Sequence, residues 1–86
     1  MNELYLGQIF LFAYDRVPDG FMRCEGQTLK YQYGDSLHAL HSLIGNQWGG
    51  DPSKQEFKLP DLREKSPIPG LCYMICTGGS YPPFNS

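Results

Sequence analysis

Residues 56–67 read EFKLPDLREKSP, and the character of this stretch changes at its fifth residue. Phe57 and Leu59 alternate with charged residues, a period of two that predicts a short strand with one buried face. Pro60 then ends the strand pattern, because proline fixes φ and has no backbone N–H to donate to a neighbouring strand. The stretch therefore predicts a strand that runs into a sharp corner.

The corner consists of Pro60, Asp61, Leu62 and Arg63. Asp61 can accept backbone amides within the turn, and Arg63 can pair with a nearby carboxylate or carbonyl. Leu62, together with Leu59 on the other side of the proline, is expected to fill the core. We predict that this corner is a structural turn and not a catalytic or binding site.

The composition is that of a small globular protein. A chain of 86 residues fits one domain, so we expect a single domain over residues 1–86. Hydrophobic residues make up 41% of the chain, with six Tyr, five Phe and one Trp available for a core. Ten glycines and seven prolines predict many turns, long loops and short elements.

Charge and hydropathy exclude two classes of partner. The net charge is −2 and the pI is about 5.5, with the seven basic residues scattered along the chain, which argues against nucleic-acid binding. No apolar run approaches the roughly 18 residues of a membrane span. The first residues lack the basic region of a signal peptide and carry Glu3, so we expect synthesis and folding in a cytosol, with association to a virion left open.

Residues 34–45, GDSLHALHSLIG, predict one helix of about ten residues. Asp35 or Ser36 can cap its N-terminus, and Gly45 is in the position where helices commonly end. Residues on one face recur at the spacing i, i+3, i+4 and i+7: Leu37, Leu40, His41 and Ile44. A helix this short needs packing on a sheet to be stable.

Three other segments predict strands. Residues 5–12 are aromatic and β-branched, with Gly7 as a candidate bulge. Residues 21–30 predict a hairpin that turns at Glu25–Gly26. Residues 71–77 belong to the most apolar run and predict a central strand. The whole pattern predicts an α+β fold that is rich in β structure.

The spacing of the residues gives little support to a metal site or a catalytic site. His38 and His41 lie three apart on the helix, but zinc needs about four ligands and no further pair is suitably spaced. Cys24 has neither a nucleophile elbow nor an oxyanion loop beside it, and the three cysteines are expected to be reduced thiols. The glycine-rich loop after the helix lacks phosphate-loop spacing. We predict that the protein is not an enzyme and uses no cofactor or metal.

Five motifs in order along the chain resemble the phage tail collar domain family, which includes proteins described as microcystin-dependent-like. They are GQIFLF (7–12), PDGFMRCEGQTL (18–29), LHSLIG (40–45), WGGD (48–51) and FKLPDLR (57–63). The resemblance covers about residues 5–67 and implies a structural or interaction role with assembly into homo-oligomers, trimers or larger.

The chain departs from the family pattern in two ways. Glu64 replaces the glycine that follows Leu-Arg, and the long glycine- and threonine-rich middle segment is missing. The closing strand, at about 71–77, follows the corner almost directly. Roles of the middle segment in trimerisation or receptor contact therefore do not carry over, and the chain resembles the structural core alone.

Aromatic residues exceed what a core of this size can hide, so some are expected on the surface as contacts. The candidates for an interface or a ligand site are Tyr31, Tyr33, Asn46, Gln47, Trp48, Asp51, Tyr81 and Phe84. Self-association is the first hypothesis. The alternatives are a small-ligand or glycan site at Trp48, and a cytosolic accessory factor of a phage or mobile element that binds a host protein or metabolite.

Overall fold

The structure is a computed structural model that describes residues 4–84. Its elements in chain order are β1 (Ile9–Phe12), β2 (Phe21–Arg23), β3 (Thr28–Lys30), α1 (Ser36–Ile44), a 3-10 turn (Pro52–Lys54), β4 (Glu56–Lys58) and β5 (Cys72–Cys76). Within this range, short antiparallel strands in two sheets accompany one helix of nine residues, which confirms the predicted α+β class.

The three-stranded sheet has the order β1-β5-β2, with β5 antiparallel to both neighbours. The most apolar run of the sequence is therefore the central strand, as predicted. Its last three residues, Met74 to Cys76, are at most 1% exposed. A strand covered on both faces needs a continuous apolar run and not an alternating one.

The hairpin predicted over residues 21–30 is wrong. β2 pairs with β5, whereas β3 pairs with β4 in a separate two-stranded sheet. Between β2 and β3 the turn is held locally, because the Gln27 side chain donates to the Arg23 carbonyl at 2.8 Å. The chain thus crosses from one sheet to the other at Gly26 (φ +76°) instead of folding back on itself.

The bulge predicted at Gly7 is confirmed. The Gly7 N–H donates to the Cys76 carbonyl at 2.9 Å, and the Cys76 N–H donates to the Gln8 carbonyl at 2.8 Å. Gly7 and Gln8 therefore both lie opposite Cys76. With Gly7 at φ +88°, this is the glycine-type bulge of antiparallel sheets. Because of this bulge, regular pairing of β1 begins at Ile9 and not at residue 5.

The helix begins and ends where the sequence predicts. Asp35 caps α1 by accepting from the His38 N–H at 2.7 Å, and the Gly45 N–H donates to the His41 carbonyl at 2.7 Å. Leu40 is fully buried on its inner face. The core joins this helix to both sheets and consists of Leu6, Cys24, Tyr31, Leu40, Phe57, Leu59 and Ile75.

Candidate functional site

Tyr31 lies in the core, which corrects the prediction that it is a surface contact. Its side chain is 8% exposed and stacks with both His38 and His41, with ring centroids 5.0 and 4.7 Å away. The Tyr31 N–H bonds the Gln55 carbonyl at the end of the β3–β4 ladder, which places the residue against the helix. Tyr33 is 77% exposed and remains the surface aromatic of this pair.

Asn46 holds the glycine-rich loop against β4. Its Nδ2 donates to the Glu56 carbonyl at 2.8 Å and to the Gly49 carbonyl at 3.2 Å, and its Oδ1 lies 2.8 Å from His41 Nε2. The Gly49 carbonyl also accepts from the Lys58 N–H at 3.2 Å. The amide predicted as a ligand contact therefore stabilises the loop on the outer edge of β4.

The other polar candidates beside Trp48 also bond within the chain. Gln47 Nε2 donates to the Ile44 carbonyl at 3.1 Å, and Asp51 accepts from the Ser53 N–H at 3.0 Å to cap the 3-10 turn. Trp48 itself is 43% exposed. A glycan at this loop would have to replace internal hydrogen bonds, and that weakens the glycan hypothesis.

The tail aromatics lie on a different part of the surface. Tyr81 is 53% exposed and its hydroxyl lies 3.2 Å from the Ser42 hydroxyl on α1. Phe84 is 71% exposed and meets Tyr81 edge-on at 6.5 Å. Residues 85 and 86, the end of the irregular tail, lie outside the described range.

The Pro60–Arg63 corner has the internal bonds expected of a structural turn. Arg63 donates from Nε and Nη2 to the two carboxylate oxygens of Asp61, at 2.9 and 2.7 Å. The hydrogen bonds from Arg63 lower the pKa of Asp61 from 3.8 to about 2, and the same pairing raises the pKa of the guanidinium. Both side chains are exposed, so the pair is screened by solvent and adds little stability.

The backbone of the corner anchors it to the rest of the fold. The Leu62 N–H donates to the buried Cys24 carbonyl at 2.9 Å, and Asp61 forms an isolated antiparallel bridge with Glu25. Leu59 is fully buried and Leu62 packs against the core at its edge. The corner thus bonds to the turn that follows β2, which supports the structural interpretation.

An apolar surface at β1 was not among the predicted site residues. Five side chains line one shallow depression of about 290 Å³ that wraps around β1: Leu4, Phe10, Leu11, Phe12 and Phe21. We call this set the β1 patch. The Phe10, Phe12 and Phe21 rings contact one another edge-on at 5.2 to 6.5 Å.

The sequence carried a signal for the β1 patch. Residues 9–12 read IFLF without the polar alternation of a half-exposed strand. In the structure this strand lies at the edge of its sheet. Ile9 and Leu11, which share one face of it, are 39% and 38% exposed despite being apolar. Neighbouring apolar side chains that remain exposed make this strand a candidate contact surface.

The described residues contain neither a metal-binding cluster nor a membrane-spanning helix. Among residues 4–84, no three His, Cys, Asp or Glu side chains converge where they could hold a metal ion. In the same range, no helix has both the length and the apolar character needed to cross a membrane.

Comparison with known proteins places the chain in a family. Neither curated proteins nor solved structures gave a match. The sequence pattern of the phage tail collar domain matches residues 7–67. This range contains β1 to β4, the helix, the Asn46 loop and the Pro60–Arg63 corner. Because the match covers more than two thirds of the 86 residues, the chain belongs to the phage tail collar domain family.

Proposed function

We propose that this collar-domain chain is a non-enzymatic structural module of the phage tail-fibre type, which acts by assembling with further copies of itself. Membership of the collar family supports the structural role. Assembly is supported by the surface of the protein, where apolar side chains are exposed to an extent that an isolated small domain does not require.

The β1 patch is the observation that carries this proposal. Its members come from β1, β2 and the segment before β1, and they form one continuous depression. Contiguous apolar surface of this kind marks contact sites in soluble proteins, since scattered single residues are normal but clusters are not. Contacts between subunits would bury the β1 patch, and the burial of apolar surface is favourable by roughly 25 cal/mol of free energy per Å².

The proposal favours a protein partner over a small ligand. The polar side chains beside Trp48 are engaged in internal hydrogen bonds, so the loop offers a ring face without the convergent polar groups of a sugar site. The β1 patch is apolar and shallow, which suits a flat protein contact. We therefore rank self-association above a host partner, and a host partner above a glycan.

The test is native mass spectrometry of gently purified protein, combined with sedimentation velocity over a range of concentrations. An assembly of bare chains is the expected result. A monomer at every concentration would refute self-assembly. Mass that is retained under native conditions and lost on denaturation would instead indicate a bound ligand, and a Trp48→Asp variant that loses this mass would locate it.

A further inference from the structure

β1 has an outer edge whose backbone groups are not paired within the described chain. The Gln8 carbonyl bonds inward to Cys76, and antiparallel ladders alternate, so the groups of Phe10 and Phe12 also point towards β5. The N–H and C=O groups of Ile9 and Leu11 therefore point outward. Within residues 4–84, no turn or loop bonds to them.

The outer edge of β2 is partly covered by turns of the protein itself. Its outward groups belong to Phe21 and Arg23, because the inward ones pair with β5. The Phe21 N–H donates to the Pro18 carbonyl at 3.2 Å, and the Arg23 carbonyl accepts from Gln27 Nε2 at 2.8 Å. No strand from another molecule can use these groups without displacing a turn of the protein itself.

The second sheet has one covered edge, at β4, and one open edge that carries a lysine, at β3. On β4 the Asn46 loop covers the outward groups of Glu56 and Lys58. On β3 the outward residues are Thr28 and Lys30, both exposed, and an edge lysine disfavours pairing with another strand. Among the described strands, β1 combines an open edge with a sequence free of charged and proline residues.

We propose, on the basis of the self-assembly proposed above, that two copies of this protein pair through β1. The two strands run antiparallel about a two-fold axis through Phe10. Ile9 of each copy then faces Leu11 of the other as a hydrogen-bonded pair. The two sheets join into one continuous sheet with the strand order β2-β5-β1 in each half.

The sequence of β1 suits pairing with itself. In this register four backbone hydrogen bonds form, two for each Ile9–Leu11 pair. The two Phe10 side chains meet at the axis as a non-hydrogen-bonded pair, whose Cα atoms lie about 4.5 Å apart, close enough for their rings to stack. The same residues of both copies form the contact and bond to each other, as an isologous interface requires.

Charge also permits a second copy at this edge. The strand carries no charge, and its nearest flanking residues, Gln8 and Ala13, are neutral. The chain carries a net charge of only −2, so repulsion between two copies is weak at physiological salt. The paired strands are only four residues long, so the interface is small and we expect a dimer that dissociates on dilution.

A single substitution at the edge tests this arrangement. Leu11→Lys places an ammonium group beside Ile9 of the second copy on one face of the joined sheet, while a monomer tolerates it because the side chain is 38% exposed. We expect it to raise the dissociation constant of the dimer at least ~100-fold. The matched control is Ile68→Lys, which adds the same charge at a 59% exposed apolar position in the loop before β5. It should leave assembly unchanged.

Sedimentation velocity of both variants is read beside far-UV circular dichroism, which shows whether each variant is folded. Amide hydrogen exchange of the wild-type protein provides a second measure that needs no variant: the Ile9 and Leu11 amides should be protected at high concentration and exchange faster on dilution. Together the two measurements support the pairing if assembly has an even number of chains and depends on Leu11.

Two results would overturn the pairing while leaving self-assembly intact. One is an assembly with an odd number of chains, and the other is a folded Leu11→Lys variant that assembles as the wild type does. Unprotected Ile9 and Leu11 amides in an assembled sample would also overturn it. A wild-type protein that is monomeric at all concentrations refutes both this pairing and the proposed self-assembly.

Discussion

Gly50 is the position where the fold should be most sensitive to a single methyl group. It has φ +98°, and a Cβ placed on it would lie 2.5 Å from Phe57 Cα and 2.7 Å from the Glu56 carbonyl oxygen. These are backbone atoms of β4 and cannot rotate away. We predict that Gly50→Ala destabilises the protein far more than Gly34→Ala, because Gly34 has φ +91° but no atom within 4 Å of an added Cβ.

The magnitude follows from two separate contributions. An alanine forced to positive φ loses roughly 1–2 kcal/mol, and the reduced entropy of the unfolded chain offsets about 0.4–1 kcal/mol of this. Gly34→Ala should therefore cost about 1 kcal/mol. At Gly50 the loop must also move away from β4 by about 1 Å, which weakens its hydrogen bonds from Asn46 and Lys58. The total should reach about 3–5 kcal/mol.

The assay is urea unfolding of both variants and the wild type, followed by Trp48 fluorescence and by circular dichroism. All samples are measured at one protein concentration, because assembly would otherwise change the midpoint. With a slope near 1 kcal/mol per M, Gly34→Ala should shift the midpoint by about 1 M. If the total stability lies near the lower end of the roughly 4–13 kcal/mol typical of a chain of this length, Gly50→Ala is partly or largely unfolded in buffer, and at the upper end its midpoint falls by about 3–5 M. If the two variants lose equal stability within about 0.5 kcal/mol, the close approach to β4 is not what requires glycine here.

Three further predictions concern single side chains. Asn46→Ala should lower the unfolding free energy by about 2–3 kcal/mol, because it leaves the Glu56 carbonyl and the His41 ring unpaired and removes one of the two bonds to the Gly49 carbonyl. Gln47→Ala removes one exposed bond and should change the unfolding free energy by less than about 0.5 kcal/mol in the same urea assay. Asp61→Asn should lower the melting temperature only slightly near neutral pH, because both partners of the ion pair are exposed. This small deficit should disappear as the pH falls from 3.8 towards about 2, because a depressed pKa stabilises the fold only while the carboxylate is ionised. A deficit independent of pH would contradict the ion pair. In the folded protein at pH 8, Cys24 should resist thiol reagents, because burial and the neighbouring Cys72 raise its pKa to about 11. Labelling followed by peptide mass spectrometry should therefore find the half-buried Cys72 modified first. Early modification of Cys24 would argue against its burial.

The elements specified by short-range signals were predicted correctly. The Asp35 cap and Gly45 end of α1 depend on residues within four positions of each other, and such contacts exist in any helix with that sequence. The Gly7 bulge and the Pro60 corner are likewise set by the backbone preferences of single residues. The central place of β5 follows from a run of apolar residues that only a strand covered on both faces can hide.

Tertiary structure decided which strands pair and which aromatics are covered. A hairpin at Gly26 was locally reasonable, but β2 and β3 find partners in β5 and β4, which lie about thirty or more residues away in sequence. Tyr31 is buried because two histidines on the helix stack on its ring, and Asn46 bonds a strand ten residues further along. These partners are brought together only when the chain folds, so neither composition nor periodicity near each residue could reveal them.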